Sequence, residues 1–338
     1  MAAADFQTAK SLTTPNFSIA YAIKNRYYDE LFLRTAEKNL VHQQLGQLNR
    51  QVPKGENGAL IYWTKWINLA LITSGAGEGV ATVPVAMSAQ SVTGTSTQYD
   101  AAVSLSDLAV LYSFGDVMKA AMQRLAYNAG LSIDTIVRNV VVPGATTQLA
   151  ATSSVLTTTA IPATAVLSIS EIRKGIRTLE NADAFKVGGG VNANEDSASG
   201  YWVAVVSPDQ GYDIMGDTAT GAWIDANRYA GSDKIFEGEI GKLYGVRFLQ
   251  TSNAYKLLNS GCIASASASI DINVALLTGS DFFGVTTLQN LQTYIKDFGS
   301  GGISDPTNKI ATAGWKCTFG ATILNSAFAV GIRTAASS

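Results

Sequence analysis

Charged residues are scarce in this chain, and that scarcity limits what the protein can be. Only 15% of its 338 residues are Asp, Glu, Lys or Arg, while 47% are hydrophobic; soluble domains average roughly 25% charged. A chain so poor in charge buries much of its surface in partners, is secreted, or lies in a membrane. The formal net charge of −2 and the pI of about 5.5 argue against a dedicated nucleic-acid-binding protein, which is normally strongly basic.

Histidine and cysteine are also nearly missing, and they are the residues that most enzymes and metal sites use. His42 is the only histidine, and its polar surroundings predict a solvated surface group. Cys262 and Cys317 lack the spacing of a metal site, and they are interpreted as small buried or half-buried thiols in a reducing cytoplasm rather than as a disulfide bridge. No sequence motif of a serine hydrolase, zinc peptidase or P-loop occurs. The sequence predicts no enzyme, no metal and no cofactor.

Paired carboxylates are the remaining pattern that a histidine-free hydrolase would use. Lysines accompany two such pairs, so salt bridging at a subunit border is the favoured interpretation. The residues concerned are Asp213, Asp217, Glu237 and Glu239, with Lys234 and Lys242 beside them.

The periodicity of apolar residues indicates an α+β fold without regular βαβ alternation. Residues 98–105 alternate apolar and polar side chains, the pattern of a strand buried on one face. A proline at the first helical position and a Ser–Gln capping box predict a helix start at 207–210. The other predicted strands are residues 59–66, 201–206, 245–251, 269–277 and 315–323, and the other predicted helices are residues 116–140 and 168–181.

The long helix over residues 116–140 is the clearest single element. Ser113 and Asp116 offer caps at its start, and Pro143-Gly144 is predicted to stop it. The shorter helix is predicted to open with a capping box of Ser168 and Glu171. Between these helices, residues 145–165 carry no charge and suggest a surface hairpin. The apolar stripe predicted for the long helix consists of Met118, Met122, Leu125, Ala129, Ile133, Ile136 and Val140.

Three sequence segments carry a resemblance to a known family. They read SPDQGYDI at 207–214, GEIGKLYGVRF at 238–248 and SDPTNKIATAGWKCTFGATIL at 304–324. In order and spacing they resemble the major capsid proteins of the N-four-type tailed phages, which build their shells from the Hong Kong 97-type fold. The likeness runs from about Val52 to Arg333.

The resemblance implies a division of the chain into the parts of that fold. They are an N-terminal arm at 1–52 that reaches a neighbour, an extended loop at 53–107 that drapes over the adjacent subunit, a peripheral domain at 108–215 with a spine helix at 116–140, an axial domain at 216–300, and a C-terminal return at 301–338. The expected contacts between subunits are Tyr62, Trp63, Lys65, Trp66, Glu78, Tyr99, Lys234, Glu237, Glu239 and Lys242.

The same resemblance implies the function and the partners. Pentamers and hexamers of this chain would tile an icosahedral shell around double-stranded DNA, with scaffolding, portal and decoration proteins as further partners. Without a signal peptide or a membrane-spanning run, the protein is expected to be made in the host cytoplasm and to end in the virion. Some relatives of this fold join neighbouring subunits by a covalent bond between a lysine and an asparagine. Lys65 and Asn253 could be considered for such a bond here, but the bond is not predicted.

Two other classes of function remain as alternatives at this point. The Gly, Thr, Ser and aromatic content suggests a secreted or outer-membrane β-rich surface protein. The missing signal peptide and the long amphipathic helix count against it. A histidine-free enzyme using carboxylates is the third class, and no specific motif favours it.

Contact with DNA is predicted to be weak and without base readout, because the net charge is −2 and no basic tail is present. Filter binding of unassembled subunits to duplex DNA should give low affinity that falls steeply with salt, since few lysines or arginines can meet phosphates. Tight binding that persists at high salt would contradict this expectation.

Overall fold

The computed structural model describes residues 40–48, 60–67, 84–113, 115–150, 157–158, 161–188, 200–217, 224–225, 239–261, 270–300 and 305–335, together with 32–33, 35–36, 69, 72–73 and 79. Its strands are β1 Gln47–Leu48, β2 Leu60–Trp66, β3 Ala89–Thr95, β4 Thr97–Ser106, β5 Thr146–Leu149, β6 Trp202–Val206, β7 Ile224–Asp225, β8 Glu239–Leu243, β9 Val246–Gln250, β10 Lys256–Gly261, β11 Ile270–Thr278, β12 Phe283–Lys296, β13 Ile310–Ile323 and β14 Ala329–Thr334. Its α-helices are α1 Asp107–Tyr112, α2 Val117–Gly144, α3 Ile169–Asn181 and α4 Pro208–Gly216. The α+β class predicted from the sequence is confirmed.

An eight-stranded mixed sheet forms the centre of the molecule. Its strand order is β5-β14-β11-β6-β9-β8-β7, and β10 pairs with the first half of β11. Most neighbours are antiparallel, whereas β5 runs parallel to β14 and β6 runs parallel to β9. The strands predicted at 201–206, 245–251 and 269–277 are β6, β9 and β11, so these predictions are confirmed.

This sheet is buried on both faces, which its side chains show directly. Along β11, Val274 and Leu276 enter one hydrophobic core while Ala275 and Leu277 enter a second core. All five residues of β6 are buried for the same reason. A strand covered on both faces reads as a continuous apolar run, and the WVAVV of β6 is such a run.

Helices α3 and α4 cover one face of the sheet. Ile172 and Leu179 of α3 and Ile214 of α4 are fully buried against it, together with Trp202 and Phe248. The other face is covered by α2, which lies between the eight-stranded sheet and a second, four-stranded sheet. The two cores therefore stack as layers on either side of the central sheet.

The four-stranded sheet has the order β1-β12-β13-β4. Trp315, Cys317 and Phe319 of β13 share a core with α2 and with Val205 of β6. The long helix thus contacts residues 315–323, and its contact with residues 201–206 is made by Val205. In β4 the predicted alternation holds in part: Tyr99, Ala101 and Leu105 are half-buried, but Val103 is 39% exposed.

Among the described strands, β2 and β3 pair only with each other, in seven antiparallel pairs from Leu60↔Thr95 to Trp66↔Ala89. This two-stranded sheet occupies part of the segment predicted as an extended loop. A hairpin of this kind is marginally stable alone, so its contacts with the rest of the structure matter.

The long helix differs from its prediction at the C-terminal end. Asp116 caps the start, accepting from the Lys119 amide at 3.0 Å, but α2 continues through Pro143 to Gly144. The proline lies in the last turn, where loss of one backbone hydrogen bond is tolerated because Val141 and Val142 are buried in the core. The buried stripe shifts accordingly: Met122, Leu125, Ala129 and Ile133 are buried as predicted, while Met118 and Ile136 are half-buried and Val140 is 37% exposed.

The capping box predicted for α3 does not form. Ser168 is the N-cap but its side chain caps nothing; instead the carboxylate of Asp217 accepts a hydrogen bond from the Ile169 amide at 2.9 Å. Glu171 is buried and is contacted by Gln148 and by the ammonium group of Lys174. A tertiary contact from the end of α4 has replaced the local cap. The capping box of Ser207 and Gln210 at the start of α4 is present as predicted.

Residues 145–165 were predicted as a surface hairpin, and their described part is different. Thr146–Leu149 forms β5 of the central sheet, and Ala150 and Ile161 are buried. Residues 151–156 and 159–160 lie outside the described residues. Thr146 and Thr147 of this edge strand are exposed, so the segment is partly at the surface although it is not a hairpin in its described part.

The predicted boundaries between peripheral and axial parts stay a prediction. Strand β6 precedes the boundary at 215/216 and β9 follows it, yet the two are adjacent parallel strands. Most of the 1–52 segment lies outside the described residues, and so do residues 189–199. Among the described residues, no helix is long and apolar enough to cross a membrane.

Leu125→Ala should lower the free energy of unfolding of isolated subunits by about 2–5 kcal/mol, because Leu125 is 4% exposed in the core around α2. Denaturant unfolding followed by circular dichroism measures this loss. The control is Leu111→Ala, at a leucine that is 75% exposed, for which a change within about 0.5 kcal/mol is expected. Equal effects of the two substitutions would contradict the packing described for α2.

Candidate assembly surfaces

The described residues contain no group of three or more His, Cys, Asp and Glu side chains that could hold a metal ion. Cys317 is a free, buried thiol, as predicted, and burial raises its pKa to about 11. At neutral pH this thiol is protonated and is a poor nucleophile. Cys262 lies outside the described residues.

The β2–β3 hairpin is fastened to the body by Trp63. The indole of Trp63 lies where a side chain on Gly284 of β12 would be: a Cβ built there would meet it at 2.8 Å. Only glycine allows this close approach. Trp63, predicted as a contact between subunits, therefore packs against its own chain and is half-buried.

Beyond Trp63 the hairpin presents large apolar side chains to solvent. Tyr62 is 52% exposed and Lys65 is exposed too, as expected for residues that meet a partner. Trp66 pairs with Ala89 in the ladder, and Glu78 lies outside the described residues. Further exposed apolar residues of this segment are Leu60, Ile67, Leu69, Ile72, Val85 and Met87, between 42% and 77% exposed. An apolar surface of this kind is a candidate interaction site.

A groove of about 930 Å³ opens at the base of the hairpin. Lys65 and Ile67 line one side, and Asp183, Phe185 and Phe328 line the other. Phe185 is 62% exposed although its ring meets Phe328 edge-to-face at 5.7 Å. The groove therefore joins the apolar hairpin surface to apolar side chains of the body.

A second apolar surface lies at helix α1. None of its six residues is buried, and Leu108, Leu111 and Tyr112 are 55%, 75% and 79% exposed. Ile310, whose neighbour in the ladder is Ser106 just before the helix, is 47% exposed. So short a helix without a buried face gains little from its own packing. It is the second candidate for a contact with another molecule.

The charged border predicted at 234–242 is internal in its described part. The side chain of Glu239 is fully buried and lies 3.9 Å from the guanidinium group of Arg247. That guanidinium group also stacks on the Tyr201 ring at 4.0 Å. Burial raises the pKa of the Tyr201 phenol, Arg247 opposes the rise and Glu239 adds to it. Lys242 lies on the same strand as Glu239, β8, and is half-buried.

The other predicted contact residues divide between the core and undescribed segments. Tyr99 is half-buried, and its ring packs on the ring of Phe319 in the same chain, with 5.1 Å between the ring centroids. Lys234 and Glu237 lie outside the described residues. The intersubunit role of the predicted residues stays a prediction, for which Tyr62 and Lys65 have the most suitable exposure.

A buried polar cluster joins three segments of the chain, and sequence reasoning missed it. His42 was predicted to be a solvated surface group, and this is wrong: it is 1% exposed. Its backbone amide donates to Oδ1 of Asp134 at 2.7 Å, and its ring Nδ1 lies 2.9 Å from Oδ2. Because an ionised carboxylate only accepts hydrogen bonds, Nδ1 carries the proton. The polar character of its sequence neighbours hid the partner, which is 92 residues away.

Asn253 completes the cluster from the turn between β9 and β10. Its Nδ2 donates to Asp134 at 2.9 Å, and its Oδ1 accepts from Arg138 at 2.7 Å and from Thr135 at 3.2 Å. The guanidinium group of Arg138 lies 5.6 Å from the centre of the Tyr255 ring. The side chain of Asn253 therefore bonds three residues of α2 within its own chain.

The electrostatics of this cluster favour a charged Asp134. Burial opposes ionisation, but hydrogen bonds and charge from His42 and a hydrogen bond from Asn253 outweigh it and hold the pKa of Asp134 below its ordinary value. Burial lowers the pKa of Arg138, an effect that Asp134 and Tyr255 counteract. A signal for the cluster was present in the sequence: Asp134 occupies a position of the apolar face of α2, between Ile133 and Val137. An acid there needs a partner.

Comparison with known proteins extends this description. A family model described as "Phage capsid protein" matches residues 80–324. The capsid of Ralstonia phage GP4 has a TM-score of 0.65 at 15% identity, covering 84% of this chain and 85% of that chain. The capsid asymmetric unit of cyanophage Pam1 has a TM-score of 0.59 at 15% identity, covering 84% of this chain and 87% of that chain. The capsid of cyanophage P-SCSP1u has a TM-score of 0.56 at 14% identity, covering 88% of this chain and 89% of that chain. No curated protein matches. At such identities the structural likeness shows the fold, and the expected Hong Kong 97-type fold is confirmed.

Asp134→Asn should destabilise the isolated subunit by about 1–3 kcal/mol at pH 7, because donors buried around it lose their carboxylate. The native pKa of Asp134 is lowered, so its contribution is present above the ordinary value of 3.8 and is lost as pH falls through the native pKa. Unfolding measured from pH 7 down to pH 3 should show the difference between wild type and variant shrinking in acid. A control, Asp209→Asn, removes an exposed partner of Lys256 and should change stability by about 0–1 kcal/mol. A difference that grows in acid would contradict the assigned charge.

Proposed function

The chain belongs to the phage capsid protein family, and we propose that its copies assemble as pentamers and hexamers into an icosahedral shell around double-stranded DNA. It is the coat subunit of the phage head, and its place is in the virion. Because the chain belongs to this family, the alternative of a secreted or outer-membrane surface protein is rejected.

The observation that carries the proposed arrangement is the exposed apolar surface of the β2–β3 hairpin. Tyr62 and Met87 are 52% and 61% exposed on a two-stranded sheet that pairs with no other described strand. Such a surface loses apolar contact with water when a neighbour covers it, and this is the main source of association free energy. The proposed neighbour is another copy of the chain.

Contact between copies would be heterologous, with different surfaces meeting. The hairpin, with Tyr62 and Lys65, is one such surface, and helix α1 is a second apolar surface elsewhere on the chain. A contact between two different surfaces repeats around a ring and closes it when the rotation fits. Residues Trp66, Glu78, Lys234, Glu237 and Lys242 remain proposed contributors to these borders.

The layered packing of the subunit supports the same proposal. The central sheet is buried on both faces, and α2 is held between two sheets. Subunits packed in this way and joined along several borders would resist outward pressure through summed interface area. The proposed shell would thus resist the pressure of packaged DNA without binding the DNA tightly.

Other partners follow from the proposed role. With a net charge of −2, the subunit would touch packaged DNA weakly and without sequence preference, so compaction has to come from a packaging motor acting through a portal protein. Scaffolding and decoration proteins belong to the proposal as further partners, and assembly in the bacterial host cytoplasm is its proposed location.

Deletion of residues 73–84 tests the proposed role of the loop. The body keeps both cores, so the variant should remain folded, with an unchanged circular dichroism spectrum and melting transition within a few degrees of wild type. It should fail to assemble, because part of the proposed contact with the neighbour is removed. Sedimentation and electron microscopy measure assembly. Shells at normal yield would show that the loop is not an assembly element.

A matched pair of single substitutions separates the hairpin surface from apolar exposure in general. Met87 in the hairpin segment is 61% exposed, and Met215 on α4 is 46% exposed. Met87→Ser should lower the yield of shells, whereas Met215→Ser should leave it close to wild type. Equal yields from the two variants would contradict the hairpin as the proposed contact. A wild-type protein that forms neither rings nor shells would contradict the proposed function itself.

A further inference from the structure

The described part of the N-terminal arm lies on its own subunit. Phe32 and Ala36 are buried in the core around α2, with 0% and 1% of their surface exposed. Further along, His42 enters the polar cluster with Asp134, and β1 runs parallel to β12 with Gln47 opposite Gly284. Three kinds of contact therefore hold this part of the arm: apolar burial, a buried polar pair and a short backbone ladder. We call its described residues, 32–33, 35–36 and 40–48, the strap.

These contacts differ in how well they specify the position of the strap along α2. Apolar contacts are non-directional, so a shift of the chain by one residue would exchange apolar neighbours such as Val41 and Leu45 at modest loss. A buried carboxylate is different, because a shift removes its donors while it stays away from water. Asp134 accepts from both the backbone and the ring of His42, and only one register satisfies both hydrogen bonds.

Gly46 adds a second condition on the same register. A Cβ at this position would lie 2.6 Å from the Phe283 ring and 2.8 Å from a methyl group of Val285. A shift by one residue would place Leu45 or Gln47 there, and the side chains of Phe283 and Val285 would have to move aside. Gly46 therefore favours the observed register, and His42, four residues earlier, adds directional hydrogen bonds that favour the same register.

We propose that the His42–Asp134 pair is a register lock, which sets the point at which the N-terminal arm leaves the subunit. The lock rests on the proposed function, in which the residues before the strap reach a neighbouring copy. A shift of one residue displaces an extended chain by about 3.3 Å, enough to misplace every contact that the arm makes. The role of the pair is to make all copies alike; added stability is secondary. Buried polar groups fix register in this way in coiled coils.

The test exploits the difference between stability and register. His42→Leu combined with Asp134→Leu replaces the two side chains of the pair by apolar ones. The melting temperature should fall, because the His42 backbone amide and Asn253 Nδ2 lose the carboxylate that accepts from them. The lock predicts, in addition, that the folded variant has more than one register of the strap. A matched control, Asp209→Leu with Lys256→Leu, removes an exposed ion pair of 2.8 Å and should leave the register single.

Register is measured as the distance between spin labels on Gln44→Cys and Arg124→Cys, in a Cys262→Ser background. Both labelled positions are exposed. Wild type and control should give one narrow distance distribution, and the Leu/Leu variant a broadened or double one. His42→Asn keeps an amide nitrogen near the position of Nδ1 and should restore a narrow distribution. A Leu/Leu variant with a single wild-type distance would overturn the lock.

Assembly provides a second readout. Shells of the Leu/Leu variant should be fewer and irregular in electron micrographs, and shells of the control should be uniform. Uniform Leu/Leu shells at wild-type yield would overturn the coupling of register to assembly. A wild-type protein that forms no shells would instead contradict the proposed function, and the label distances would still decide the register. If the Leu/Leu variant does not fold, His42→Ala and His42→Asn take its place: equal distance distributions in those two variants would overturn the lock.

Discussion

Burial of both faces of the central sheet is the constraint on which the rest of the structure depends. Because Val274 and Ala275 of β11 point to opposite cores, apolar material has to cover the sheet on each side. Helices α3 and α4 cover one face, and α2 covers the other. Helix α2 then needs a cover of its own, which the four-stranded sheet supplies. The layers follow from one requirement, the removal of apolar side chains from water.

The same constraint explains why the polar cluster lies where it does. Covering the seam along α2 takes a further segment of chain, and the strap with Phe32 and His42 supplies it. Asp134 is an acid on the covered face, so closing the seam removes its carboxylate from water. Hydrogen bonds from His42 and Asn253 replace the lost hydration. A purely apolar seam would close as well, but without selecting one position of the strap.

Much of the fold was predictable because local periodicity and core packing agree along α2, β6, β9 and β11. The prediction was wrong where a distant contact replaced a local one. Ser168 and Glu171 have the spacing of a capping box, yet Asp217 caps α3. The stop predicted at Pro143-Gly144 is confirmed, since α2 ends at Gly144, but the predicted last residue, 140, is too early because Val141 and Val142 are buried in the core. Strand β12 was not predicted, since it changes from buried on both faces near Phe283 to alternating further on. For the candidate surfaces, exposure of Tyr62 agrees with the prediction, while Trp63 and Glu239 are engaged within the chain.

The sequence by itself determined the class of the protein, its main elements and its family, because composition, periodicity and the order of short segments are properties of the chain alone. Only the tertiary structure decided which apolar side chains remain exposed, that Trp63 faces its own Gly284, and that His42 meets Asp134. Those outcomes depend on residues that are dozens to hundreds of positions apart, and short-range patterns contain no information on which distant groups will share a space from which water is excluded.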